Sequence, residues 1–160
     1  MSPKAFFIRN VDLDPVNRIT WNNELEEERK SAVFDLLNNG FFKIKKKNHN
    51  TGPFSLNIKL LELKLYLSIK DLFDGDQFDI ILSISPLRRI IRDYRIVCEN
   101  YIDAIKEAPI KKIEAIDIGR KSIHDEGSTI LKNILEDKLD IDLGLCRKLF
   151  TLISIISIKA

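Results

Sequence analysis

Between Pro109 and Leu135, Ile113, Ile116, Arg120, Ile123, Gly127, Ile130 and Ile134 recur at alternating steps of three and four, the spacing of one helix face. Such a face looks inward, so the arginine and the glycine on it each need a reason. An inward guanidinium keeps its charge and has to meet a carboxylate, a backbone carbonyl or a bound anion. A glycine inside a helix costs about 1 kcal/mol relative to alanine, tolerated where another backbone or a ligand comes close. Asp117 lies one turn before Arg120 and His124 one turn after it, so an acid, a guanidinium and an imidazole share one side. The plainer interpretation is structural: Asp117 pairs with Arg120, and His124 is a half-buried ring with one satisfied nitrogen. The stretch is also compatible with two shorter helices, the first ended by Gly119 and the second capped by Ser122 with Asp125 as Ser-x-x-Asp.

Upstream, Val11 and Leu13 alternate with Asp12 and Asp14 in a first strand, spanning Phe6 to Asp14 and ended by Pro15. Asn23 with Glu26 forms a capping-box pattern, and Gly40 stops the helix that carries Leu25, Ala32, Val33, Leu36 and Leu37. The lysines from Lys43 to Lys47 lead into a loop containing His49. Phe54, Leu56, Ile58 and Leu60 alternate, and Leu63, Leu65, Leu67 and Ile69 alternate with shifted parity, so a tight turn or bulge falls near Leu61 to Leu63. Phe78 to Ser85 adds a third antiparallel strand through Asp74-Gly75, a hairpin signal rather than a calcium loop.

Ser85 and Pro86 read as a helix start. Leu87, Ile91, Tyr94, Cys98, Tyr101 and Ile105 form the apolar stripe that follows. Arg88, Arg89, Arg92 and Arg95 crowd the N-terminal half of that helix, where the dipole disfavours cations. Nearby aspartates such as Asp79 and Asp93, or a bound phosphate or carboxylate, would offset them. In the last helix, capped by Asp140 or Asp142, Leu145, Leu149, Leu152 and Ile156 share a side with Cys146, Phe150 and Ile153 beside them. A surface that broad belongs inside the domain or against a second copy, although the β-branched end would also suit a short strand.

At 160 residues the chain fits one domain, 1–160, and its 44% hydrophobic and 31% charged residues are those of a globular protein. A net charge of +2 is too small to argue for nucleic acid or a membrane surface. The run from Leu149 to Ile158 is far short of the roughly 20 residues of a spanning helix. The N-terminus has no secretory pattern, and cytoplasmic residence with Cys98 and Cys146 reduced and buried is expected. G-x-S-x-G, H-E-x-x-H, C-x-x-C, Walker and dinucleotide-binding patterns are absent from the sequence. With two histidines, His124-x-Glu126 alone is a weak metal pattern, so neither a metal nor a cofactor is expected.

Three blocks, SPLRRIIRDYRIVCENYIDAI from Ser85, IEAIDIGRKSIHDEGS from Ile113 and RKLFTLI from Arg147, together with FDLL from Phe34, resemble a bacterial family numbered two-six-two in the UPF series of uncharacterised families. The resemblance covers nearly the whole chain and implies a single-domain cytoplasmic protein, without an activity. The matching blocks contain Arg88, Arg89, Asp93, Tyr94, Asp117, Gly119, Arg120, His124, Glu126 and Gly127. The turn from Leu61 to Lys64 is more apolar here than in the family.

The expected architecture is α+β: an N-terminal strand and helix, a three-stranded antiparallel meander, and three C-terminal helices packed on the sheet. Arg88, Arg89, Arg120 and Tyr94 are the candidate ligand-binding residues, in a module that recognises a small phosphate- or carboxylate-bearing molecule or an acidic protein partner. The alternative is a metal-independent enzyme in which His124 acts as general acid or base, with Asp117 orienting it, Arg120 stabilising charge and Glu126 a further candidate. A homo-oligomer built through the C-terminal helix is the third possibility.

Overall fold

The computed structural model describes residues 6–14, 23–39, 42–45 and 51–157. In chain order it runs β1 (Ile8–Asp14), α1 (Asn23–Asn39), β2 (Phe42–Ile44), β3 (Phe54–Leu61), β4 (Lys64–Asp71), β5 (Gln77–Ser83), α2 (Arg88–Glu107), α3 (Ile110–Leu135), β6 (Leu139–Ile141) and α4 (Leu143–Ser157). The expected α+β class holds. The expectations at Pro15, Gly40 and His49 fall outside the described residues.

The central meander forms as its alternation requires. Phe54, Leu56 and Ile58 of β3 and Leu65, Leu67 and Ile69 of β4 are buried, whereas Asn57, Lys59, Lys64 and Lys70 on the other face are exposed. Leu61 pairs with Lys64, so the parity change is a two-residue turn in which Glu62 takes the left-handed φ of 57°. At the far end Gly75 supplies φ 81° in the Asp74-Gly75 turn. The buried Asp71 carboxylate closes that end by accepting N–H bonds from Thr51, Gly52 and Phe73 at 3.0 to 3.2 Å.

Two pairings correct the expected meander. The first strand is not separate: β1 lies parallel to β3, giving a mixed sheet of order β1-β3-β4-β5. Parallel neighbours need a crossover, and α1 lies between them in the chain, packed on β1. Where a loop was expected, β2 pairs antiparallel with β6, Phe42 opposite Ile141 and Ile44 opposite Leu139. Phe42 then stacks on Phe54 with ring centroids 4.8 Å apart, which fixes this small sheet against the large one.

The helices cover one face of the sheet. Ser85–Leu87 is a 3-10 turn, and α2 itself starts at Arg88 without a side-chain cap, so Ser85 and Pro86 begin the turn rather than the helix. Asp142, not Asp140, caps α4 through its Oδ1 and the Leu145 N–H at 2.7 Å. The stretch expected as helix or short strand is helical through Ser157, and α4 is buried almost all round, from Leu145 and Cys146 through Leu149 to Ile156. It packs against α1, α3 and β3. Burial of each large apolar side chain there contributes about 1.5–3 kcal/mol. That surface is enclosed largely by the chain's own elements.

The organising stretch is one continuous 26-residue helix, α3. Its C-terminal half meets α4 and buries Gly127, Ser128, Leu131 and Leu135. The N-terminal half is less enclosed than its stripe suggests: Ile113 and Ile116 are half-buried, and Ile110 and Ile118 are exposed. The two helix glycines have opposite reasons. A Cβ at Gly127 would overlap the ring of Phe150, while one at Gly119 would meet nothing within 4 Å.

Gly127→Ala should therefore destabilise the protein by about 1–3 kcal/mol through overpacking, whereas Gly119→Ala should stabilise it by about 0.5–1 kcal/mol through helix propensity. Urea unfolding of the two variants measures both signs. Equal effects would contradict the close approach of α4 to α3.

Candidate functional site

His124 sits where α1, α2, α3 and α4 converge. Its ring makes a three-way aromatic contact with Tyr94 and Phe150, with centroids 5.2 to 5.5 Å apart. A cleft of about 270 Å³ opens beside it, lined also by Glu28, Arg120, Lys121, Lys148 and Thr151. The Thr151 hydroxyl donates to the Arg147 carbonyl at 3.2 Å and the Ser128 hydroxyl to the His124 carbonyl at 2.7 Å. Using each hydroxyl proton once assigns the Nε2–H tautomer, donating to Thr151 Oγ1 at 2.8 Å. Nδ1 is then unprotonated, and the Ser128 hydroxyl 3.5 Å away directs its one proton to the carbonyl instead.

Burial is the main reason the imidazole pKa falls to about 4; Lys148, Arg120 and Arg147 push it the same way against the opposing pull of Asp125. At neutral pH the ring is therefore uncharged. A base that protonates only near pH 4 is poorly matched to proton transfer around pH 7, and no imidazolium is present to act as an acid. Asp117 does not orient the ring. Its carboxylate accepts from Arg120 Nε and Nη2 at 3.1 and 2.6 Å and pairs with Lys121 at 3.0 Å. The hydrogen bond from Arg120, followed by that from Lys121, holds this carboxyl below the usual range. The expected triad of Asp117, His124 and Arg120 is thus an ion pair beside a neutral histidine. Glu126 is exposed and lies outside the cleft lining.

The other charges of this cleft are matched as well. Arg120 lies over the Tyr101 ring at 4.8 Å, Lys148 pairs with Asp35 at 2.8 Å and Asp125 with Arg147 at 3.3 Å. Tyr94, expected among the ligand-binding residues, is buried and donates its hydroxyl to Glu28 at 3.0 Å. Burial, then the Glu28 charge, pushes its phenol above the ordinary value. Burial likewise raises the Cys98 and Cys146 thiols to about 11 and 12, and both cysteines are free.

The arginines of α2 lie elsewhere. Arg88, Arg89, Arg92 and Arg95 line a separate groove of about 630 Å³, which opens between the N-terminal turns of α2 and the β3–β4 turn. Leu60, Leu63, Ile84 and Ile91 contribute apolar surface to it, and Glu62 stands among its lining residues. Asp93 reaches Arg89 at 3.9 Å and Arg92 at 3.7 Å, both long. Arg88 and Arg95 have no ion pair among the described residues. Arg120 belongs to the other cleft, so the expected set of Arg88, Arg89, Arg120 and Tyr94 is divided between two places.

Sequence reasoning missed Glu28, Thr151 and Phe150 beside His124, and Glu62 and Leu63 beside the arginines. Each is brought in by tertiary packing, across 27 residues for Thr151 and 66 for the Glu28–Tyr94 bond. The one available hint was Gly127, whose missing side chain marks the position of Phe150.

The family model described as "Uncharacterised protein family (UPF0262)" matches residues 6–159. A UPF0262 protein of Rhizobium etli is 43% identical over 143 residues, covering 89% of this chain and 88% of its own length. One from Agrobacterium fabrum is 41% identical, with the same coverage. One from Jannaschia sp. is 36% identical over 96% of this chain and 98% of its own. No solved structure matches. No helix among the described residues is long and apolar enough to cross a membrane.

The histidine makes a pH prediction. Its folded pKa of about 4 lies below the unfolded value of 6.5, so the unfolded chain binds the extra proton. The associated stability is complete above about pH 6.5 and is lost as pH falls toward 4. Unfolding free energy should drop by roughly 2 kcal/mol between pH 7 and 4.5, and His124→Gln should flatten that drop. An imidazole NMR titration midpoint near 6.5 for His124 would contradict it.

Proposed function

Because the chain belongs to the uncharacterised family UPF0262, whose description names no reaction, we propose a function from its geometry: a single-domain cytoplasmic binding module that recognises an anionic group in the α2 groove. One observation carries this. Four guanidiniums line one groove in which Glu62 is the lining carboxylate and Asp93 stands 3.7 and 3.9 Å from Arg92 and Arg89, and Arg88 and Arg89 occupy the first turn of α2, where positive charge is unwelcome. Arginine is the side chain best suited to carboxylate and phosphate oxygens, which it meets with two parallel N–H bonds. Two free, buried thiols fit a reducing compartment.

The His124 cleft supports an enzyme less well. Its cations already have carboxylate partners, its histidine is neutral, and Asp117 is taken up by Arg120 and Lys121. Arg120 is accordingly a structural cation in this proposal, and Arg88 with Arg92 are the anion contacts.

Titration of the isotope-labelled protein with pyrophosphate and with tetraglutamate at low salt tests the proposal. Amide shifts should cluster at residues 84–95 and around the β3–β4 turn, weaken as salt rises, and be lost in Arg88→Ala/Arg92→Ala. Absence of binding by either anion, or shifts confined to Arg120 and His124, would overturn it.

A further inference from the structure

Resting on the anion-binding proposal, we infer that the α2 groove is a docking surface for an acidic polypeptide segment that carries aliphatic side chains. The arginines themselves argue against a small anion as the occupant. Arg89 is 85% exposed and Arg92 61% exposed along their side chains. Guanidiniums on such loose stems lose much rotamer freedom when they close on a single phosphate, and water screens what they gain. A segment with several carboxylates neutralises them together and adds apolar burial.

The surroundings supply that apolar part. Leu60 and Leu63 present accessible aliphatic surface between the arginines and the β3–β4 turn, with Ile84 and Ile91 buried beneath them in the groove floor. Leu63, 37% exposed, leaves aliphatic surface open to the groove. Alternate side chains of an extended strand stand about 6.6 Å apart on one face, close to the rise of about 6 Å between Arg88 and Arg92 along the helix. An extended segment laid along α2 therefore sets carboxylates against successive arginines while its other side chains meet Leu63 and Leu60.

Nucleic acid fits the same charges and fails on the rest. Single-stranded binders stack bases on aromatic rings, and among the described residues the apolar side chains lining this groove are aliphatic, without a Phe, Tyr, Trp or His. Glu62, standing in the lining, repels any anionic group set beside it, carboxylate or phosphate alike. To a polypeptide the same carboxylate is an acceptor for a backbone N–H.

Two ten-residue peptides of equal charge separate these cases, one alternating glutamate with leucine and one alternating glutamate with serine, titrated into the full chain beside pyrophosphate and decauridylate. The Glu–Leu peptide should bind at least ten-fold more tightly than the Glu–Ser peptide and than decauridylate. Arg88→Ala/Arg92→Ala should weaken it at least ten-fold. Leu63→Ser, at an exposed turn position, should weaken Glu–Leu binding several-fold and leave pyrophosphate binding unchanged. Equal affinity for the two peptides, or pyrophosphate binding with no peptide binding, would overturn the polypeptide assignment and leave anion recognition standing. Tighter binding of decauridylate would overturn it in favour of nucleic acid. No binding of any of the four would remove both proposals.

Discussion

A helix buried on most of its circumference cannot rest on a surface, and α4, charged only at Arg147 and Lys148, is such a helix. Ten of its residues are buried, and β3, α1 and α3 enclose it. The closest of these contacts sets the rest: the Phe150 ring of α4 occupies the space a side chain at Gly127 would take, seated directly on the backbone of α3. Tyr94 from α2 closes on the other side of the same ring. Once α4 is surrounded, the helices around it need only one apolar face each. Their outer faces are free to carry charge that the core does not ask for.

That arrangement explains which parts of the fold were legible. The strands β3 and β4 and the stripe of α2 rest on local periodicity, and residues such as Leu56, Leu67, Ile91 and Cys98 lie where their spacing puts them. The parallel pairing of β1 and the short β2–β6 ladder were not legible, because a three-residue strand has too little pattern and a parallel partner leaves no turn signal between the strands. The stripe of α3 was read correctly as a face and incorrectly as a uniformly buried one. Periodicity reports direction, whereas burial depends on whether another element is present. On the stripe itself, Ile113 and Ile116 are only half-buried.

The candidate site divides in the same way. Helical spacing was enough to bring Asp117 and Arg120 together, and they do pair. It could not say that His124 would turn to Thr151, because that partner arrives from another helix. Nor could it distinguish a titrating histidine from one held neutral by burial. The arginines of α2 stood out for a different reason, a conflict between their charge and the helix dipole, and that conflict persists in the folded molecule. Such conflicts between local preference and structure gather where a protein does something other than fold.

The account therefore holds that Arg88 and Arg92 serve a partner and not the fold. Equilibrium unfolding of Arg88→Gln/Arg92→Gln in denaturant, without any ligand, measures this directly. Removing two cations from the positive end of α2 should leave stability unchanged or raise it by about 0.5 kcal/mol. A loss of more than about 1 kcal/mol, the scale of a structural contact, would mean that the fold itself requires these arginines and would contradict the account.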